Sequence, residues 1–338
     1  MLQINSDAIR QGDRLALSRA LTAVENGDPI GQQIQSALFP YTGKAHLVGV
    51  TGAPGTGKST LVNQLAKTFR QSQEGLEPPK IAIIAVDPTS PFTGGALLGD
   101  RIRMQDLAGD KGIFIRSMAS RGALGGLAHK TAAFTIILDS AGFNLVLIET
   151  VGAGQAEVDI AQLAHTVIVV EAPGLGDDIQ AIKAGILEIA DIIAVNKADR
   201  PGAENTALAL KAMLTMAHGG DHPAAGKHML RETPQKTEVT QENEEDAWHP
   251  PVQLVTATEG KGIEKLIEEI QKHKTYLEKT RLWQVKEAHR LRRDLEALIR
   301  ESLIQQWEQN RDQVKFDEIL EKVVNRKLPP TEAVKLLL

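Results

Sequence analysis

The nine residues 52–60, Gly-Ala-Pro-Gly-Thr-Gly-Lys-Ser-Thr, match the phosphate-loop pattern Gly-x-x-x-x-Gly-Lys-Ser/Thr in full. Glycines allow backbone N–H groups to approach phosphate oxygens, and the amino end of a following helix adds partial positive charge. We expect Lys58 to reach the outer phosphates of a nucleotide and Ser59 to coordinate Mg2+. The candidate nucleotide-binding residues here are Gly52, Ala53, Pro54, Gly55, Thr56, Gly57, Lys58, Ser59 and Thr60.

A second motif, Asn-Lys-Ala-Asp at 196–199, directly follows the apolar run 192–195. Asp199 can accept hydrogen bonds from both the ring N–H and the exocyclic amine of guanine, an arrangement that adenine does not offer. We expect Lys197 to lie along the base and Asn196 to brace the surrounding loops. Together with the phosphate loop, this motif predicts a guanine nucleotide, GTP or GDP, as the ligand. A later small-residue loop suited to backbone recognition of the guanine carbonyl is formed by Thr256, Ala257 and Thr258.

An acidic residue, Glu149, ends the apolar run 145–148, and Gly152 follows three positions later. This spacing resembles the loop with which GTPases sense the terminal phosphate, although glutamate stands where aspartate is usual. We expect Glu149 to hold a water of the magnesium shell and the Gly152 N–H to contact the terminal phosphate. The glutamate therefore joins Ser59 in the predicted metal site.

Two further carboxylates complete the predicted metal site. Asp87 follows the apolar run 80–86, and the carboxyl end of a parallel strand is where α/β sheets place ligands. Asp100 comes later in the same polar, glycine-rich stretch. Other interpretations stay open, since Asp87 could cap a turn before proline and Asp100 could be a solvated helix residue. The predicted metal ligands, direct or through water, are Ser59, Asp87, Asp100 and Glu149.

The motifs require an α/β fold with a mostly parallel central sheet, because each follows a short apolar run rich in β-branched residues. We expect a P-loop NTPase domain at 44–278, a helical extension at 1–43 and a helical arm at 279–338. The arm contains a long amphipathic stretch, 281–308, whose apolar side either packs on its own body or forms a dimer. The runs interpreted as strands are 45–50, 80–86, 113–116, 145–148, 165–170, 192–195 and 252–258.

Composition excludes several classes of function. The net charge of −5 over 338 residues does not favour a nucleic-acid partner. The absence of cysteine excludes disulfides and thiolate metal sites. Neither a secretory signal pattern nor a membrane-spanning apolar run is present, so we expect a cytoplasmic protein without a membrane partner. The polar, acidic connection 218–250 has no role that its sequence reveals.

Beyond these motifs, the chain resembles the ArgK/MeaB family of GTPases, whose human relative is the methylmalonic aciduria type A protein. The resemblance extends over nearly the whole chain. It rests on the three nucleotide motifs together with the segments 87–90, 93–95, 98–100, 120–122, 124–126, 149–152, 154–155 and 176–183.

The resemblance implies a GTP-hydrolysing chaperone that gates cofactor delivery to, and protects, an adenosylcobalamin-dependent acyl-CoA mutase such as methylmalonyl-CoA mutase. It also implies a homodimer held by the carboxyl-terminal helices. The segments 87–100, 149–160 and 174–185 would be its switches, and Lys183 becomes a functional residue through the resemblance alone. Slow intrinsic hydrolysis is expected, because Gln155 lies three positions beyond Gly152 rather than beside it. The expected catalytic residues are Lys58, Asp100, Glu149, Gly152 and Lys183.

Alternative functions stay open at this point. One is a nickel-inserting metallochaperone GTPase, although cysteine and a dense histidine tract are absent. Another is an ATP-dependent kinase of a basic amino acid transport protein, which the guanine motif disfavours. A scaffold that binds GTP without hydrolysing it is a third. The sequence does not distinguish among the acyl-CoA mutases that a chaperone of this type would serve.

Overall fold

The computed structural model describes residues 5–71, 77–87, 104–107, 109–119, 126–150, 155–174, 187–218 and 247–338. The chain forms two compact units, Met1–Arg290 and Leu291–Leu338. The first contains the sheet with its helices, and the second contains helices only. The predicted division into three domains at residues 43 and 278 stays a prediction.

The first unit is built on a seven-stranded sheet in the order β3-β2-β4-β1-β5-β6-β7. Every neighbouring pair of strands is parallel, which confirms the predicted sheet type. Non-consecutive neighbours such as β4 and β1 require crossover connections, as in other α/β folds. The strands are β1 His46–Thr51, β2 Ile81–Asp87, β3 Ile113–Ala119, β4 Leu145–Glu149, β5 Thr166–Glu171, β6 Ile192–Val195 and β7 Val252–Leu254.

The apolar runs become the interior of this sheet. β1, β4, β5 and β6 are buried along their whole length, because helices cover both faces of a parallel sheet. β7 is shorter than the run 252–258 that predicted it. Its pairing with β6 ends at Leu254, and Thr256 instead bridges to Lys261 within the following turn.

The helices surround this sheet and continue into the second unit. None of the described helices has both the length and the apolar character that a membrane span requires. The helix Gln313–Val324 lies in the arm that the sequence predicted to be helical, although its bounds were not predicted. Asp312 caps it by accepting hydrogen bonds from Val314 N and Lys315 N. The helices are α1 Ser6–Arg10, α2 Arg14–Asn26, α3 Pro29–Leu38, α4 Lys58–Arg70, α5 Gly126–Ser140, α6 Gln155–Leu163, α7 Ala203–His218, α8 Ile263–Lys279, α9 Leu282–Asn310, α10 Gln313–Val324 and α11 Pro330–Leu337, with 3-10 turns at Phe39–Tyr41 and Gln105–Leu107.

The predicted helical extension packs on the sheet domain. Leu17, Leu21 and Leu38 are buried in the same hydrophobic cluster as Ile84 of β2 and Phe134 of α5. Polar contacts add to this packing, since Arg116 of β3 forms an ion pair with Glu25 of α2 at 2.5 Å. α3 begins at Pro29, after Asp28, whose side chain makes no capping hydrogen bond. The extension is therefore part of the first unit.

Candidate nucleotide-binding site

The phosphate-loop residues connect β1, in the middle of the sheet, to the amino end of α4. Gly52 has φ of +137°, and a Cβ at this position would lie 2.1 Å from the carbonyl oxygen of Val170 on β5. Gly57 has φ of +93°, and its Cβ would lie 2.4 Å from the Asn196 side-chain amide nitrogen. Both positions therefore require glycine, because the loop backbone passes directly over the ends of two neighbouring chain segments.

Lys58 turns back over the loop from the first residue of α4. Its ammonium donates hydrogen bonds to the carbonyl oxygens of Gly52, at 2.7 Å, and Ala53, at 3.0 Å. The Thr56 hydroxyl donates to the same Ala53 carbonyl at 2.9 Å. Lys58 is buried, with 7% of its surface exposed. The cation thus lies beside the backbone that the sequence predicts to bind phosphate.

Asn196 joins the phosphate loop to the loop that follows β7. Its amide nitrogen donates to the Thr56 carbonyl at 2.8 Å, and its amide oxygen accepts from the Ala257 N–H at 3.1 Å. The side chain is buried, with 3% exposed. Because both ends of the amide are bonded, Asn196 holds three segments of the predicted guanine site in one arrangement.

Lys197 follows with φ of +57°, a conformation that turns the chain sharply after β6. Its ammonium donates to the carbonyl oxygen of Gly55 at 2.6 Å, so its alkyl stem extends toward the phosphate loop. Asp199 is exposed two residues later. Thr256 and Ala257 are buried, whereas Thr258 is exposed. The predicted guanine-binding residues therefore lie together at the carboxyl ends of β6 and β7.

Ser59 and Glu149 meet at the carboxyl edge of the sheet. The Ser59 hydroxyl donates to a carboxylate oxygen of Glu149 at 2.6 Å, and Glu149 is buried at the end of β4, next to β1. Hydroxyl and carboxylate oxygens are the hard ligands that Mg2+ prefers. The donor set of this pair therefore fits the predicted metal.

Four predicted site residues are described in part or not at all. Asp87 is the last residue of β2, which places its backbone at the carboxyl edge of the sheet. Its side chain lies outside the described residues, and Asp100, Gly152 and Lys183 lie outside them altogether.

Contacts that the motifs did not reveal also shape this edge. The Thr150 hydroxyl donates to the Thr51 hydroxyl at 3.0 Å and joins the ends of β4 and β1. The available signal was a threonine after each apolar run, directly after 45–50 and one position after Glu149. A second group consists of Asn63 and Lys67 of α4 together with Asp106, which contacts both of them. The signal for Asn63 and Lys67 was their four-residue spacing from Ser59 along a single helix face, whereas Asp106 gave no signal.

A family model described as "Methylmalonyl Co-A mutase-associated GTPase MeaB" matches residues 17–312. The chain belongs to this family. It is therefore a P-loop GTPase that binds GTP and GDP, as the phosphate loop and the guanine motif predicted. The match includes every predicted site residue, from Gly52 to Thr258.

Individual relatives agree with this assignment. A putative GTPase of Pyrococcus horikoshii is 42% identical over 332 residues, which cover 98% of this chain and 96% of the relative. The GTPase ArgK of Escherichia coli is 38% identical over 284 residues, which cover 82% of this chain and 78% of the relative. The crystal structure of a LAO/AO transport system kinase superposes with a TM-score of 0.66 at 28% identity and covers 98% of this chain and 94% of that structure.

Proposed function

We propose that this GTPase is a chaperone of an adenosylcobalamin-dependent acyl-CoA mutase, for which methylmalonyl-CoA mutase is the leading candidate. In this role it gates cofactor delivery to the mutase and protects it from inactivation. The observation that carries the proposal is the match of residues 17–312 to a family whose description names a methylmalonyl-CoA mutase-associated GTPase. The matched range includes both nucleotide motifs and the residues that join them.

The proposed chemistry is in-line attack of water on the terminal phosphate of GTP. Lys58 and the loop N–H groups stabilise the charge that develops on the phosphate oxygens. Asp199 recognises guanine, while Asn196 keeps the guanine loops in register with the phosphate loop through its bonds to Thr56 and Ala257. Ser59 and Glu149, with Asp87 and Asp100, are the residues that would hold Mg2+ and its waters. Bound Mg2+ would supply further charge neutralisation at the phosphates.

Hydrolysis is proposed to be slow until the mutase binds. Gly152 is assigned to the switch that contacts the terminal phosphate and Lys183 to the switch that signals to the mutase. Gln155 is not adjacent to Gly152 in the sequence. A partner that orders the switches accelerates hydrolysis only if it binds the ordered state more tightly than the open state. GTP hydrolysis would then report mutase binding.

We further propose that the protein is a homodimer held by the carboxyl-terminal helices. The second unit carries many large apolar side chains at its surface. Leu303 is 60% exposed, Val314 69% and Val324 68%, and further exposed residues are Leu295, Ile299, Ile304 and Leu320. Apolar surface of this extent is typical of an interaction site.

The first experiment measures binding of GTP, GDP and ATP, and then phosphate release with and without methylmalonyl-CoA mutase. We expect guanine nucleotides to bind at least ~100-fold more tightly than ATP, because a site that is built to pair with a base edge rejects the wrong edge. Hydrolysis should rise more than about threefold with the mutase, a coupling of about 0.6 kcal/mol or more. Stimulation below this level would contradict the chaperone role and leave GTP binding intact.

Matched lysine variants test the phosphate loop. Lys58→Ala should weaken GTP binding about 100-fold, or about 2.7 kcal/mol, because it removes the cation at the phosphates. Lys272→Ala is the control, since Lys272 is 60% exposed and forms an ion pair with Glu269 on α8. Equal GTP affinity in the two variants would contradict the assigned role of Lys58.

The transport-system kinase named for the superposed crystal structure provides a second candidate function. A kinase of this type would use ATP and transfer phosphate to a protein. Selective binding of GTP in the first experiment argues against it, and ATP binding equal to that of GTP would favour it.

A further inference from the structure

One face of α4 carries a row of polar side chains that begins at Ser59. Ser59, Asn63, Lys67 and Arg70 follow at spacings of four, four and three residues, so they lie along one side of the helix. The first of them contacts Glu149 in the proposed metal site. We call this row the polar stripe of α4.

The remainder of the polar stripe holds the chain segment that enters β3. The Asn63 amide nitrogen donates to an Asp106 carboxylate oxygen at 2.9 Å, and Lys67 forms an ion pair with the same carboxylate. One turn further along, Arg70 binds Asp110 in a bidentate pair, with both nitrogen–oxygen distances 2.8 Å. The stripe therefore fixes this segment at two points, one near Ser59 and one near the carboxyl end of α4.

The two points differ in what they hold. Arg70 also donates to the carbonyl oxygens of Pro78 and Pro79. The guanidinium packs directly against Gly112, where a Cβ would lie 2.3 Å from the guanidinium carbon. Arg70 and Asp110 thus connect the entrances of β2 and β3, far from the phosphate loop, and form a structural anchor.

Asp106 holds the segment closer to the nucleotide. Asn63 lies one helical turn from Ser59 and is buried, with 8% exposed. Packing at this point is already supplied by Met104 and Leu107, which are buried in the same hydrophobic cluster as α4. The burial of the segment therefore does not depend on the contacts of Asp106 with Asn63 and Lys67. These contacts instead fix the position of the segment along α4. These contacts also lower the pKa of Asp106, mainly through hydrogen bonds from Lys67 and Asn63, so the carboxylate is charged at neutral pH.

We propose that Asn63, Lys67 and Asp106 are positioning residues for the magnesium-dependent part of GTP binding. This inference rests on the proposed function, in which Asp87 and Asp100 order Mg2+. In the sequence, Asp100 precedes Asp106 by six residues, a distance of at most about 20 Å along the chain. Because Asp106 is held on the helix that carries Ser59, the distance between Asp100 and Ser59 is restricted. We expect this restriction to favour binding of the metal together with the nucleotide.

The test measures the dissociation constant of GTP with excess Mg2+ and with EDTA. The magnesium ratio is the constant in EDTA divided by the constant in Mg2+, so it is large when Mg2+ strengthens GTP binding. Asp106→Asn and Lys67→Met both break the contact, but they change the local charge in opposite directions. Positioning predicts that each variant lowers the ratio by about 3- to 10-fold. A purely electrostatic effect predicts opposite signs, because loss of a cation favours bound metal and loss of an anion disfavours it.

Asp110→Asn is the matched control, since it makes the same chemical change at the structural anchor. It should lower the melting temperature while keeping the magnesium ratio within twofold of wild type. Opposite signs for Asp106→Asn and Lys67→Met, no change in either, or an equal drop in Asp110→Asn would each overturn the inference. A wild-type protein whose GTP affinity ignores Mg2+ would instead overturn the metal assignment in the proposed function, and with it the basis of the inference.

Discussion

The two edges of the central sheet use polar side chains in opposite ways. At the carboxyl edge, Lys58 and Lys197 donate to backbone carbonyl oxygens of the phosphate loop. At the amino edge, His46, His165 and His273 are buried, with exposures of 4%, 3% and 1%. The first set is charged and lies at glycine-rich loops, whereas the second is sealed beneath helices.

The amino edge contains a directed chain of hydrogen bonds. His273 Nε2 lies 3.3 Å from an Asp191 carboxylate oxygen, so this nitrogen carries the proton and Nδ1 accepts from the Thr166 hydroxyl at 2.8 Å. The Thr166 oxygen in turn accepts from His46 Nε2 at 2.7 Å. Each imidazole is therefore held as one neutral tautomer.

His165 extends this arrangement to the beginning of α9. Its Nδ1 accepts from the Leu47 N–H at 3.0 Å, and its Nε2 lies 2.6 Å from a Glu287 carboxylate oxygen. The Trp283 ring stacks on it at 3.9 Å between centroids. Burial lowers the pKa of His165, and it lowers that of His46 further. A second proton on His165 would displace the Leu47 N–H.

One edge of the sheet is therefore suited to binding and the other to stability. Lysines that donate to loop carbonyls can exchange those partners for phosphate oxygens at modest cost, because both acceptors are oxygens at a partly exposed edge. The hydrogen-bonded nitrogens of these neutral imidazoles have no such freedom, since a lost partner leaves a buried polar atom unpaired. We therefore expect changes at the carboxyl edge to affect nucleotide binding, and changes at the amino edge to affect folding.

The largest expected effect is on the free energy of unfolding and comes from a structural glycine at the carboxyl edge. Gly52→Ala should destabilise the protein by more than ~4 kcal/mol, because the new Cβ meets the Val170 backbone at 2.1 Å. Gly55→Ala is the control, since φ is +82° but nothing lies within 4 Å of its Cβ, and it should cost only about 1 kcal/mol. Urea unfolding measures both, and similar losses would contradict the geometry.

The second prediction concerns the pH dependence of the free energy of unfolding, which we assign to the amino edge. Burial lowers the pKa of His273 to about 4, below the value of about 6.5 in an unfolded chain. Between these values the unfolded state binds more protons, so the free energy of unfolding should fall as pH decreases from 6.5 to 4, by about 3 kcal/mol for this group. Chemical denaturation at a series of pH values measures the slope. His273→Gln should flatten it, and a slope equal to that of the wild type would contradict the lowered pKa.

The smallest effect compares two buried threonines at opposite edges. Thr166→Val leaves His273 without its donor and His46 without its acceptor, and should cost about 2 kcal/mol of unfolding free energy. Thr150→Val removes a single hydroxyl pair with Thr51 and should cost about 1 kcal/mol. Thr166→Val should also keep GTP affinity within twofold of wild type. A large loss of GTP affinity would show that the two edges are coupled.

Most of the fold was predictable, because β1, β2, β4, β5 and β6 are largely apolar runs rich in β-branched residues, which is typical of buried parallel strands. The arm 279–338 was predicted to be helical, but the bounds of the helix Gln313–Val324 within it were not predicted. The histidines that form the amino edge also gave no signal. His46 and His165 stand at strand ends in the sequence, but their shared partner Thr166 and the distant His273 meet them only after folding.

By itself, the sequence determined the phosphate loop, the guanine motif and the parallel sheet, because local spacing encodes the first two and continuous apolar runs encode the third. Only the tertiary structure decided which side chains join these parts. Asn196 reaches Thr56 across 140 positions, and Asn63 reaches Asp106 across 43. Such pairs have no local pattern, because their distance is set by the order of strands in the sheet rather than by the order of residues in the chain.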